Sequence, residues 1–302
     1  MIAVPSHLQS PDLYPTRLSS APTRLIPRAH RVVHGSVHDG PLSRRCLRAF
    51  DADGFVRIDN AIDSNVAQRC LQEAADLCAD PAVSRDERVV RQHDTDEVRS
   101  LFAVHELSPR IRNIAVSGLA GYARQVLGSP VYIHQSRVNF KPGFGGGDFF
   151  WHSDFETWHA EDGLPAPRAV TVAVALTDNL AINGPLLIVP GSHRHFIPCR
   201  GDTPTDFHTE SLTTLRPSAG LPDERHVAEL VSRNGIYECT MPPGSAVMFD
   251  ANALHGSGNN ITPLPRATMF VVFNSTRNLP AAPYGAARMR PPFLAGRDYT
   301  PV

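Results

Sequence analysis

From residue 131 onward the chain turns into a succession of short, apolar, β-rich runs separated by glycine and proline, and this pattern limits its fold more than any other feature. The run 131–140 alternates. The run 169–176 is continuous in alanine, valine and threonine, and 185–190, 246–250 and 268–273 complete the set. Runs of this length between turn formers read as strands, and several of them bury their apolar faces only by packing as a sandwich or closing as a barrel. Before this block the pattern is helical. On 64–78, Val66, Cys70, Ala74 and Leu77 form one stripe, with Asp63 or Ser64 placed to cap its start. A second helix is expected over 114–127, closed by Gly128, and a short strand over 54–59. The fold class is therefore α+β, mainly β: a sandwich or barrel with helices packed outside.

Residues 1–45 are rich in proline, arginine, serine and histidine, without periodicity, and read as an N-terminal arm, partly packed and partly mobile. Residues 46–302 read as a single domain. Within it, 196–243 is long, polar and proline-containing, with one helix-like piece at 223–233. It looks like a lid-like excursion between core strands.

With 29 basic and 30 acidic residues the formal net charge is −1, which gives no electrostatic footprint for nucleic acid. No run approaches the roughly 20 apolar residues of a membrane span, and the N-terminus lacks an apolar signal core. The five cysteines (46, 70, 78, 199 and 239) are odd in number and include no Cys-x-x-Cys. They point away from a disulfide framework and towards a reducing cytoplasm.

A facial Fe(II) site needs two imidazoles and one carboxylate on one side of the metal. On an extended segment, side chains at i and i+2 point the same way, so His-x-Asp or His-x-Glu can supply two of the three. With 14 histidines, roughly one or two such tripeptides arise by chance. Three occur: His152-Ser153-Asp154, His159-Ala160-Glu161 and His208-Thr209-Glu210. Only the first follows a glycine-rich turn at the end of a strand. His255, beside Gly256 after the run 246–250, can return the third ligand, and Arg266 follows on the next strand. Arginine suits the far end of a dicarboxylate because its planar fork meets a carboxylate with two hydrogen bonds. Singly, His255 also fits a packed core histidine and Arg266 a surface ion pair. His159, Glu161, His208 and Glu210 read as polar loop positions.

The stretch FWHSDFETWHAEDGLP (150–165) is more distinctive. It resembles the signature of the ectoine hydroxylases, within the phytanoyl-CoA dioxygenase superfamily. The resemblance extends to VYIHQSRVN (131–139), NGPL (183–186), PGSHR (190–194), HGS (255–257), NITP (260–263) and PDLYP (11–15). It implies a double-stranded β-helix (cupin-type jelly roll) and a dioxygenase using Fe(II), 2-oxoglutarate and O2. The implied reaction converts ectoine to 5-hydroxyectoine, with release of succinate and CO2, in a homodimer.

By the same resemblance, His152, Asp154 and His255 hold iron, and Arg266, Ser257, Asn139 and Phe149 form the 2-oxoglutarate pocket. Gln135, Trp158, Phe249, Phe270 and Arg290 form the pocket for the zwitterionic substrate. Trp158, Phe249 and Phe270 suit a delocalised ring cation, Gln135 a ring hydrogen bond, and Arg290 the substrate carboxylate. A carboxylate at Asp154 points to hydroxylation, because halogenating relatives lack it. The 280–293 stretch is looser than the family pattern. Two other readings remain at this level: a hydroxylase of another small amino or imino acid such as proline, and a non-catalytic jelly-roll binding protein. A zinc hydrolase of the His-Glu-x-x-His type has no motif to rest on.

Overall fold

A computed structural model describes residues 11–19, 24–92, 96–214 and 216–302. Parts of the expected arm, at 1–10 and 20–23, lie outside the described residues.

The long strand Arg266–Ser275 organises the molecule. It pairs antiparallel with Val131–Lys141 on one side and Ala169–Ala175 on the other. The resulting seven-stranded sheet runs Phe55–Ile58, Ala246–Asp250, Ala169–Ala175, Arg266–Ser275, Val131–Lys141, Val98–Phe102, Val89–Arg91. A four-stranded sheet lies against it, in the order Tyr237–Glu238, Leu186–Ile188, His255–Ser257, Phe149–His152. Leu186 and Ile188 of the small sheet pack with Ala173, Val247, Phe249 and Phe270 of the large one. The two sheets form a double-stranded β-helix with helices outside.

Side-chain alternation explains the layering. In Ala169–Ala175, Val170, Val172 and Val174 face outward into the helix-covered core, while Ala173 and Ala175 face the small sheet. Each buried valine contributes about 1.5–3 kcal/mol. The alanines on the opposite face leave room between the sheets.

Val131–Lys141 contains one irregularity. Gln135 pairs with Val272 but Ile133 with Phe273, so His134 is an extra, bulged residue. Val131 and Ile133 before the bulge, and Val138 after it, all face the outer core. Gln135, Arg137, Asn139 and Lys141 share the inner face.

Helix Ser64–Ala79 covers the outer face and is capped by the Asp63 carboxylate, which accepts from the amides of Asn65 and Val66. Its buried stripe is Ala67, Cys70, Ala74 and Cys78. Val66 and Leu77 of the expected stripe lie at its edges, partly buried against the same core. The expected 114–127 helix opens as a π turn, Ile114–Leu119, and continues as Ala120–Leu127. Gly128 ends it at φ 57°, where a Cβ would stand 2.7 Å from the His34 carbonyl carbon.

The described arm is well packed: Tyr14 is fully buried, and Ile26–Pro27 pairs with His195–Phe196. The 196–243 stretch holds helices Phe207–Thr213 and Glu224–Asn234, and also the edge strand Tyr237–Glu238. Its last part thus belongs to the small sheet. Helix Glu224–Asn234 packs Leu230 against Val189, Ile197 and Leu254. All five cysteines are free thiols, four of them buried. Among the described residues no helix is long and apolar enough to cross a membrane.

Candidate active site

His152 ends the strand Phe149–His152, and His255 opens its antiparallel neighbour. The two are cross-strand partners with ring centroids 4.2 Å apart. Asp154 begins helix Asp154–Asp162, whose first turn is capped by Ser153. The change from strand to helix brings the carboxylate between the imidazoles. Its Oδ1 lies 3.8 Å from His152 Nε2 and its Oδ2 3.9 Å from His255 Nε2. These separations are too long for hydrogen bonds, yet the three ligand atoms lie within 4.8 Å of one another. Atoms that converge without bonding each other suit a shared cation.

The orientation of each ligand is fixed from behind. Nδ1 of His152 lies 2.6 Å from the Phe150 carbonyl and Nδ1 of His255 2.9 Å from that of Ala253. A carbonyl only accepts, so each Nδ1 carries the proton and each Nε2 keeps its lone pair for a metal. Burial, then the neighbouring His152, pushes His255 down to about 4, so its ring is neutral at pH 7. Burial alone would raise the Asp154 carboxyl. His255 when protonated, Arg137, His152 when protonated, and the Thr171 hydroxyl, 3.2 Å from Oδ2, outweigh it and hold Asp154 below the usual carboxylate value. Two imidazoles and one carboxylate form the facial donor set of non-haem Fe(II) oxygenases.

A group of buried basic side chains adjoins the strand that carries His255. Arg266 is 4% exposed, and its Nε has no hydrogen-bond partner. Its Nη1 reaches Thr268 Oγ1 at 3.4 Å. Lys141, opposite it in the strand register, donates to Ser257 Oγ at 2.9 Å. Burial, then Arg266 and Arg99, pushes Lys141 down to about 6. Arg99 stacks on the Phe149 ring at 3.9 Å and donates to the Asp148 carbonyl. Asn139 accepts from Ser100 at 2.9 Å. The structure therefore brings together all four residues expected here (Arg266, Ser257, Asn139 and Phe149). It adds Lys141 and Arg99, which were missed. Period two from Gln135 and Asn139 puts Arg137 and Lys141 on the same face, and that signal was available in the sequence.

A cavity of about 170 Å³ reaches His152 and Asp154, below the roughly 300–1,000 Å³ of drug-sized sites. It suits a compact metabolite. Gln135, Trp158 and Arg290 line it, and Phe207, Leu212 and Leu221 of the excursion form part of its wall. Phe249 and Phe270 stand behind it in the inter-sheet core. Phe249 packs on the His255 ring at 4.8 Å, and Phe270 lies under the Arg137 guanidinium at 4.6 Å. Arg290 faces the cavity with its charge already engaged, because Nε and Nη2 both hold Asp162.

His159 and Glu161 are not loop residues, as the sequence suggested. They lie buried on helix Asp154–Asp162, where His159 meets Asp12 and the Leu164 carbonyl, and Glu161 meets Arg17. The arm packs over this helix, and that long-range contact has no local signature. His208 and Glu210 lie on helix Phe207–Thr213, away from the triad.

Residues 50–268 match the family model of phytanoyl-CoA dioxygenase (PhyH). The chain belongs to the phytanoyl-CoA dioxygenase family. Within that family it is 46% identical over 292 residues to the ectoine dioxygenase of Nocardia farcinica, covering 96% of this chain and 95% of the relative. The crystal structure of EctD from S. alaskensis with 2-oxoglutarate and 5-hydroxyectoine superposes with a TM-score of 0.83 at 42% identity, covering 95% of both chains. The same protein with bound Fe superposes at 0.81, again with 42% identity and 95% of both chains.

Proposed function

We propose that this chain is an Fe(II)- and 2-oxoglutarate-dependent dioxygenase that hydroxylates ectoine to 5-hydroxyectoine. The observation that carries the reading is the convergence of His152, Asp154 and His255 beside a buried, under-partnered Arg266. Likeness over nearly the whole chain to ectoine dioxygenases supports the substrate.

Bound iron would supply the oxidising chemistry, with 2-oxoglutarate and O2 consumed and succinate and CO2 released. The protein's part is to hold and orient. Nε2 of His152, Nε2 of His255 and the Asp154 carboxylate hold the metal on one side and leave the other open to co-substrate and O2. Arg266 takes the distal carboxylate of 2-oxoglutarate with its fork, and Ser257 and Lys141 close around it. Asn139 and Phe149 shape the rest of that pocket. On the substrate side, Trp158 offers a π face to the ring cation, Gln135 a hydrogen-bonding amide, and Arg290 a positive wall for the carboxylate. Phe249 and Phe270 fix the positions of His255 and Arg137. The 196–243 excursion closes the cavity and excludes water during turnover. A cytoplasmic homodimer completes the proposal.

The test is turnover by purified protein with Fe(II), 2-oxoglutarate and ectoine, with proline as the competing substrate. Succinate and 5-hydroxyectoine are expected in equal amounts. Absence of ectoine-dependent succinate overturns the substrate, and succinate with proline alone reassigns it.

A further inference from the structure

Helix Asp154–Asp162 carries both an iron ligand at its first residue and a substrate wall, Trp158, one turn later. What holds this helix comes from a distant part of the chain. Arg17, in the N-terminal arm, is buried. Its Nε donates to Glu156 Oε1 at 2.7 Å and its Nη2 to Glu156 Oε2 at 2.8 Å, and Nη2 also reaches Glu161 Oε1 at 3.2 Å. The Thr16 hydroxyl adds a third bond to Glu156, at 2.7 Å. The guanidinium thus spans adjacent turns on either side of Trp158.

The same residue touches the excursion. Its amide donates to the Cys199 carbonyl at 2.9 Å, its Nη1 reaches Thr203 Oγ1 at 3.4 Å, and its guanidinium lies 5.4 Å from the Phe207 ring. At Gly220 any Cβ would stand 2.4 Å from Arg17 Nη2, so backbone of the excursion runs directly over the guanidinium. Arg17 holds a left-handed backbone, φ 56°, which costs a non-glycine residue energy and persists only when its surroundings enforce it. Arg17, Glu161, Phe207 and Gly220 all line the cavity.

We infer that Arg17 is a positioning residue of the active site: it locks the helix bearing Asp154 and Trp158 to the excursion that walls the cavity, and so sets substrate affinity and the coupling of 2-oxoglutarate consumption to hydroxylation. This rests on the proposed reaction. A fork is required, since two carboxylates and an overlying backbone are served by one planar group; a lysine keeps the charge and loses the geometry.

Arg17→Lys and the charge-balanced pair Arg17→Met with Glu156→Gln test the inference. Ectoine affinity is read on metal-free protein by quenching of tryptophan fluorescence, since the chain has two tryptophans and Trp158 lines the cavity. Coupling is read as 5-hydroxyectoine formed per succinate. Both variants are expected to weaken ectoine binding by roughly ten- to a hundredfold and to release succinate in excess of product. Wild-type affinity and one-to-one coupling in the charge-balanced pair would show that Arg17 only neutralises buried carboxylates, and the inference falls. Wild-type protein that itself neither binds nor turns over ectoine defeats the proposed substrate instead, which separates the two failures.

Discussion

Arg290 grips Asp162 with two parallel hydrogen bonds, Nε to Oδ1 at 2.8 Å and Nη2 to Oδ2 at 2.5 Å, with the aspartate fully buried and His134 Nε2 3.3 Å from the same Oδ2. Removing one partner leaves an uncompensated charge in the interior. Arg290→Met is expected to destabilise the protein by about 3–5 kcal/mol, and Asp162→Asn in the same chain to recover most of that in denaturant unfolding. Because Arg290 also faces the cavity, the ectoine KM of the pair stays raised. A KM that returns to the wild-type value would restrict Arg290 to a structural role.

The triad makes a separable prediction. His152→Ala, Asp154→Ala and His255→Ala should each abolish Fe(II) uptake in an anaerobic titration while the protein still unfolds cooperatively. Thr171→Val removes only the hydroxyl behind Asp154 Oδ2 and should weaken Fe(II) binding by about 10–100-fold. Unchanged affinity in Thr171→Val would mean that this hydrogen bond does not orient the carboxylate.

Lys141, held near 6 by burial and by Arg266 and Arg99, is largely neutral in the free protein at pH 7.5. A dicarboxylate beside it favours the charged form. Binding of 2-oxoglutarate should therefore take up a proton, seen as a dependence of the calorimetric enthalpy on buffer ionisation heat. The uptake should vanish in Lys141→Met, whose 2-oxoglutarate KM rises. Proton release on binding would place the ligand elsewhere.

Acid should destabilise the metal-free fold before the carboxylate range is reached. His105 and His34 are pushed from the ordinary 6.5 to about 4, in both cases by burial first and nearby arginines second. The unfolded chain protonates these rings near 6.5 and the folded one does not, so stability is fully present above 6.5 and declines as pH falls towards 4. The melting temperature should drop across that window, and His105→Asn should flatten the slope. A melting temperature constant from pH 7 to 4.5 contradicts the assignment.

Much of this was legible in the chain. The alternating and continuous runs marked the strands because burial on one or both faces of a sheet writes itself into period two. Asp63 and Gly128 marked helix ends because caps are local chemistry. The order of His152, Asp154, His255 and Arg266 pointed to the site, although Asp154 opens a helix rather than continuing the strand that ends at His152. Arg17 and Glu156 lie 139 positions apart, and nothing near either residue announces the other. The same holds for Arg290 and Asp162. Ion pairs closed by tertiary packing leave no periodic trace, so the surroundings of His159 and Glu161 were misread.

The bulge at His134 divides the strand Val131–Lys141 into two lengths in opposite phase. The first serves the scaffold and the second serves the site. Substitutions at Gln135, Arg137, Asn139 or Lys141 can therefore retune ligand recognition one group at a time. A single-residue insertion or deletion beside His134 would instead turn all four polar groups into the apolar layer and bring Val138 into the cavity. The pocket can vary by replacement, but its reading frame in this strand cannot shift.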